Sequence, residues 1–205
     1  MENVYIVDDD PAVRDSLSML LKSEDYNPTQ FSNPQDFLSR VDNGLPAGII
    51  ILDLCMPELT GIEVMQELIN QGNALPIICI TGHGDVPTSV QALKMGAYDF
   101  LEKPYDSSYL IERIKDCAKD ELGQRHWDIN TLRAKEMITK LTPREHEVME
   151  GMVDGFRNKQ IAYNMGISIR TVELHRVHVM EKFEAKSLAD VLKIAIAADY
   201  NYSKL

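Results

Sequence analysis

The stretch Asn3-Val4-Tyr5-Ile6-Val7-Asp8-Asp9-Asp10-Pro11 decides how the chain is read. Five residues suited to a buried strand run directly into three carboxylates and a proline. Val13, Leu17, Leu20 and Leu21 then recur at helical spacing. The unit is therefore strand, polar loop, helix. It repeats along the chain: Thr29–Phe31 before a helix near Pro34–Val41, Ile49–Leu52 before Gly61–Ile69, Ile77–Ile80 before Val86–Met95, and Tyr98–Leu101 before a helix from about Asp106. Strands that alternate with helices predict a five-stranded parallel sheet covered on both faces.

Ligands of open α/β sheets sit beyond the carboxyl ends of the strands. The polar residues fall at those ends: Asp8, Asp9 and Asp10 after the first strand, Asp53 after the third, Thr81 after the fourth, and Lys103-Pro104 after the fifth. Gathered carboxylates repel one another unless a hard divalent cation neutralises them, and Mg²⁺, which takes oxygen ligands and keeps several waters, suits the set. A carboxylate in such a place can attack phosphorus and form an acyl phosphate. Lys103 would pair with the phosphoryl charge, and the Thr81 hydroxyl would hydrogen-bond one of its oxygens. Taken singly, Asp8–Asp10 could equally cap the helix that follows. It is the joint placement at four strand ends that argues for a site.

A chain of 205 residues suggests two domains, and charge divides it in the same way. Residues 1–120 hold 8 basic and 20 acidic side chains, a formal −12, whereas residues 121–205 hold 13 basic and 12 acidic, a formal +1. Residues 155–186 hold six basic and three acidic side chains, which leaves a local cationic face for phosphates. No apolar run is long enough to span a membrane, and the start of the chain lacks the basic and apolar regions of a secretory signal, so a cytoplasmic protein without membrane contact is expected. Cys55, Cys79 and Cys117 lack zinc-site spacing and read as reduced, packed thiols.

The domains are drawn at 1–120 and 141–205, with 121–140 as a mostly helical linker that could break near Gly123. Thr142-Pro143-Arg144-Glu145 opens a helix with an N-cap, a proline at the first helical position and a glutamate three residues after the cap. Asn158 reads as the cap of a second helix that Gly166 ends. Ser168 caps a third, Ile169–Phe183, and a fourth runs from Ser187 to about Ala198. Two helices around a tight glycine-containing turn form the helix-turn-helix arrangement, whose second helix enters the major groove. Val172, Val179 and Phe183 are placed to pack inward. Arg170, Arg176 and Lys182 could serve phosphates, and Glu173, Leu174 and Val177 base edges, with Lys159, Thr171 and His178 as further candidates.

Val7-Asp8-Asp9-Asp10, Leu52-Asp53-Leu54-Cys55-Met56-Pro57, Ile80-Thr81-Gly82 and Leu101-Glu102-Lys103-Pro104 make residues 3–118 resemble the receiver domain of bacterial two-component response regulators. That resemblance implies a flavodoxin-like sheet in the order 2-1-3-4-5. It implies Asp53 as phospho-acceptor, with Asp9, Asp10, Asp53 and the Cys55 carbonyl around Mg²⁺ and Lys103 on the phosphate. Thr81 and Phe100 resemble the switch pair: phosphate would draw Thr81 toward it and Phe100 would turn inward. The Lys103-Pro104 bond would be cis, and Cys55 and His83 would influence how water reaches the acyl phosphate.

Leu141-Thr142-Pro143-Arg144-Glu145, Asn158-Lys159-Gln160-Ile161-Ala162 and Thr171-Val172-Glu173-Leu174-His175-Arg176 make residues 141–200 resemble the four-helix LuxR-type DNA-binding domain. With the Gly82-His83-Gly84-Asp85-Val86-Pro87 loop, the whole is similar to the FixJ-like group of response regulators. The resemblance implies a transcription factor and not an enzyme, whose partners are a sensor histidine kinase, double-stranded promoter DNA, RNA polymerase and, once phosphorylated, a second copy of itself. Two other readings account for fewer residues. A haloacid-dehalogenase-like phosphatase with Asp8 as nucleophile leaves Asp53 and the helix-turn-helix without a role, and a receiver fused to a protein-binding helical domain would be separated by the salt dependence of DNA binding.

Overall fold

The computed structural model describes residues 2–73, 75–82, 86–119 and 131–198. They form two compact units, one built on a sheet and one on the C-terminal helices. The expected break near Gly123 and the expected influence of His83 lie outside the described residues.

Along the first part of the chain β1 (Asn3–Val7), α1 (Pro11–Ser23), β2 (Asn27–Phe31), α2 (Pro34–Asp42), β3 (Gly48–Asp53), α3 (Gly61–Asn70), β4 (Ile77–Thr81), α4 (Val86–Lys94), β5 (Asp99–Glu102) and α5 (Ser107–Lys119) follow in order. The strands pair in parallel as β2-β1-β3-β4-β5, the order expected from the sequence. The central strands are apolar on both faces because helices cover both. Val4, Ile6, Ile49, Ile51, Ile78 and Ile80 pack with Leu17 and Leu21 of α1 and with Leu110, Ile114 and Cys117 of α5.

β2 begins two residues earlier than its apolar run, because backbone pairing from Asn3↔Asn27 and Val4↔Pro28 carries it there. Pro28 is tolerated because β2 is an edge strand, where a missing N–H costs no ladder bond. The strand order reverses between β1 and β3, and at that switch point the crevice opens beside the ends of both strands, next to Asp8 and Asp53.

The second unit holds α6 (Thr131–Thr139), α7 (Pro143–Val153), α8 (Asn158–Met165), α9 (Ile169–Lys182) and α10 (Leu188–Ala197). α7 to α10 are the four helices expected. α6 falls in the stretch expected to be linker, yet Ala134 and Met137 are buried and α6 packs on α10, so it belongs to this unit. α7 starts as read: Thr142 and Glu145 form a capping box around Pro143. α8 differs from the reading by one residue, with Arg157 at the cap position and Asn158 as its first helical residue. Gly166 ends α8 in the left-handed region at φ 64°, where a side chain would be strained, and Ser168 then caps α9 through the Thr171 N–H. Val148, Met152, Ile161, Val172, Val179, Phe183 and Leu192 form the core.

α3 starts so close to the end of β3 that a Cβ on Gly61 would lie 2.5 Å from the Asp53 carbonyl oxygen and 2.7 Å from the Leu54 Cα. Both are backbone atoms and cannot rotate away. Gly61→Ala should therefore lower stability by about 1–3 kcal/mol, as overpacking does, and should displace Asp53. Urea unfolding together with the rate of labelling by a phosphoryl donor measures both effects. A fully stable variant labelled at the normal rate would show that the α3–β3 junction is more yielding than its spacing indicates.

Candidate functional site

Two strand ends and one loop build the first site. Asp8 and Asp53 are both buried, at 2% and 5% exposure. Asp53 Oδ1 accepts the Cys55 N–H at 2.9 Å, and Asp8 Oδ1 accepts the Asp10 N–H at 2.8 Å. Lys103 bridges the two carboxylates, its Nζ 2.7 Å from Asp53 Oδ2 and 3.0 Å from Asp8 Oδ2. It is aimed from the segment after β5, where the Lys103 N–H donates to the Thr81 carbonyl and the Lys103-Pro104 bond is cis, as the sequence predicted. Burial pulls the Lys103 pKa down, but the hydrogen bonds and charges of Asp53 and Asp8 outweigh it and leave that pKa raised. Burial raises the Asp8 pKa, while the Asp10 N–H and Lys103 oppose the rise.

Carboxylate oxygens of Asp8, Asp9 and Asp53 lie within 4.8 Å of one another. Three carboxylates against one ammonium leave a formal −2 among hard oxygen donors, which matches Mg²⁺ in charge and ligand preference. One expected ligand, Asp10, lies outside this cluster. Asp10 is exposed and its Oδ1 caps α1 by accepting the Ala12 N–H at 2.8 Å, so Asp8 takes its place beside Asp9 and Asp53. A signal for this was present in the sequence: a carboxylate directly before the proline that opens a helix is the natural cap.

Thr81 and Phe100 are both buried, at 2% and 4% exposure. Phe100 thus already occupies an inward position, and the turn expected of it has no outward starting point in this structure. Cys79 and Cys117 are packed as expected, and burial drives the Cys79 thiol pKa well above its ordinary value. Cys55 corrects the expectation, being exposed on the loop after β3.

On the second unit, Arg170, Glu173, Leu174 and Val177 form one exposed strip along α9 at i, i+3, i+4 and i+7, with Lys159 exposed on α8. Leu174 and Val177 are 55% and 50% exposed, which makes this strip partly apolar. The Thr171 hydroxyl is 2.8 Å from that of Ser168 at the start of α9, and Arg176 is partly buried.

Lys182 is a clear correction. Instead of facing phosphates it turns into the unit and donates to Glu145 Oε2 at 2.5 Å and to the Lys140 carbonyl at 3.1 Å. His178 lies on the same flank, its Nδ1 3.4 Å from Glu145 Oε1. Glu145 is 4% exposed, and the hydrogen bond from Lys182, with others from Thr142, holds its carboxyl down to about 2 against the cost of burial.

Residues 4–115 match the response regulator receiver domain, and residues 139–195 match the luxR family of bacterial regulatory proteins. The chain therefore belongs to the two-component response regulators, as a transcriptional regulator with a receiver and a LuxR-type DNA-binding domain. Within that class it is FixJ-like. It is 39% identical to the transcriptional regulatory protein FixJ of Bradyrhizobium diazoefficiens over 96% of this chain and 95% of that protein. The FixJ of Azorhizobium caulinodans is 41% identical over 95% and 92% respectively. The crystal structure of full-length FixJ from B. japonicum superposes with a TM-score of 0.57 at 38% identity, covering 98% of each chain. A receiver domain implies a histidine kinase partner, and a LuxR-type domain implies DNA. Family membership leaves no place for the phosphatase reading. No helix among the described residues is long and apolar enough to cross a membrane.

Because the Glu145 pKa is depressed in the fold, its stabilising effect is present above pH 4.5 and is lost as pH falls toward 2. The shift corresponds to about 3 kcal/mol. Glu145→Gln should destabilise the second unit by roughly that amount at pH 7, and the gap to wild type should close between pH 4.5 and 2. Urea midpoints measured against pH test this. A gap that stays constant with pH would mean that the carboxylate charge is not what Lys182 holds.

Proposed function

We propose that Asp53 accepts a phosphoryl group from the kinase's phosphohistidine and that the phosphorylated chain dimerises and binds promoter DNA to control transcription, with RNA polymerase as a further contact. The observation that carries this reading is the bridge from Lys103 to Asp53 and Asp8 at the crevice. A carboxylate oxygen of Asp53 attacks phosphorus, the P–N bond breaks, and the imidazole leaves with its electron pair, giving an acyl phosphate. Lys103 is then in reach of the new phosphoryl charge, and the Thr81 hydroxyl, at the end of the neighbouring β4, is the candidate donor to one of its oxygens.

Asp8, Asp9 and Asp53 would hold Mg²⁺, with the Cys55 carbonyl as a further oxygen ligand. The ion would supply charge neutralisation at the transferring phosphoryl group. Loss of the Lys103–Asp53 contact to phosphate would alter the β4–β5 edge and the face around Met95 to Lys103, which we assign as the surface where two receivers meet. Pairing two LuxR-type domains on neighbouring half-sites raises the effective concentration of the second and so converts weak binding into tight binding.

Asp53→Asn should abolish both acyl phosphate formation and phosphate-dependent dimerisation. Phosphate-affinity gel shift and sedimentation with and without a small phosphoryl donor measure the two. Wild-type labelling of the variant would remove Asp53 from the site, and a wild-type monomer that gains DNA affinity without pairing would replace dimerisation by release of an intramolecular block.

Arg170→Ala should weaken binding on all sequences and lower the salt slope by about 1, whereas Leu174→Ala should change base preference with little effect on that slope. Lys182→Ala, by contrast, should act through stability. Titrations of promoter DNA at several salt concentrations separate the three. An Arg170 variant with unchanged affinity would place the DNA elsewhere.

A further inference from the structure

We propose that the second unit holds a Zn²⁺-class ion between α7 and α9, ligated by Glu145, His175 and His178. Ligand atoms of these three side chains lie within 4.8 Å of one another. The two histidines are i and i+3 on α9, which puts their rings on one flank of the helix, 6.4 Å apart between centroids. Glu145 reaches the same place from α7, where the capping box fixes its position.

One of the donor atoms has no partner of its own. The Nδ1 atom of His175 is buried and has no hydrogen-bond partner, which in a folded interior calls for an explanation. Glu145 divides its two oxygens: Oε2 accepts from the Thr142 N–H at 2.7 Å and from Lys182, while Oε1 faces His178 Nδ1 at 3.4 Å. A carboxylate that binds a metal through one oxygen and is held by donors on the other is the usual arrangement around such ions. The Lys182 ammonium opposes a second cation nearby, so affinity should be moderate.

Two imidazoles and one carboxylate form a nitrogen-rich donor set that suits Zn²⁺, with solvent as the remaining ligand. Mg²⁺ prefers oxygen alone, so the two clusters of this chain differ in the ion they select. The ion would join α9 to α7 on a flank separate from the Arg170, Glu173, Leu174 and Val177 strip. It would therefore stiffen the helix that presents those residues without covering them.

The test is equilibrium dialysis of the full-length protein against Zn²⁺ in millimolar Mg²⁺, which keeps the acidic cluster occupied, together with thermal unfolding in the same buffers. Wild type should take up one Zn²⁺ per chain and gain stability from it. His178→Asn changes a partly exposed residue, so the fold should survive. It should weaken uptake on the order of tenfold or more and lose the thermal gain, as should His175→Ala. Asp53→Asn should leave uptake unchanged. Uptake that survives both histidine replacements, uptake lost with Asp53, or no uptake by wild type would each overturn the proposal and leave His178 and Glu145 as a simple polar contact.

Discussion

The first unit depends on the ammonium of Lys103 held between Asp8 and Asp53. A parallel sheet directs all its strand ends to one edge, and the switch between β1 and β3 opens a crevice there. Side chains that end those strands converge whether or not their charges agree. Burial already raises the Asp8 pKa, and a second buried carboxylate beside it would be worse without a cation. Removing one partner from a buried ion pair typically costs about 3–5 kcal/mol, so Lys103 stabilises the fold as well as serving chemistry. The same contact makes the site responsive. A phosphoryl group on Asp53, as proposed, would compete for the cation that bridges Asp8 and Asp53.

The second unit repeats this logic with one carboxylate. Glu145 closes the capping box of α7, accepts from Lys182 near the end of α9, and faces His178 in between. It fixes the start of one helix of the DNA-binding pair's scaffold to the length of the helix that carries the exposed strip. α7 and α9 form the most extensive helix pairing in this unit. A buried carboxylate with its charge so well compensated acts as a registry pin, because any slip of α9 leaves Glu145 buried and unpaired.

Sequence was most informative where a local rule coincided with the tertiary demand. The run from Asn3 to Val7, the strand ends at Asp53 and Thr81, the Thr142 cap and the Gly166 turn all follow from periodicity or capping chemistry that acts within a few residues. Readings that failed depended on which way a side chain turns. Asp8, Asp9 and Asp10 are chemically alike, and only the geometry of the α1 start assigns Asp10 to the cap and Asp8 to the crevice. Lys182 looks like a phosphate contact on a helical wheel, but its partner Glu145 is 37 residues away in sequence. α6 lies in the stretch expected to be a mostly helical linker, and its apolar side finds its partner only with α10 beside it.

Withdrawal of Lys182 changes what the DNA face can be. Of the three basic residues expected at phosphates, Arg170 remains on the exposed surface and Arg176 is partly buried; Lys159, a further candidate, is exposed on α8, while Glu173 within the strip repels phosphate. The receiver adds a formal −12 over residues 1–120, which opposes approach to a polyanion. Charge is therefore a poor source of affinity for one copy of this domain, and if the α9 strip meets DNA as proposed, the exposed Leu174 and Val177 would carry more of the recognition than they would in a basic helix. A domain whose single-copy affinity is held low in this way gains most from a second copy on the same DNA, because pairing multiplies whatever each copy contributes. Under the proposed pairing, phosphorylation would control DNA binding without touching the α9 strip, by acting on whether two chains meet.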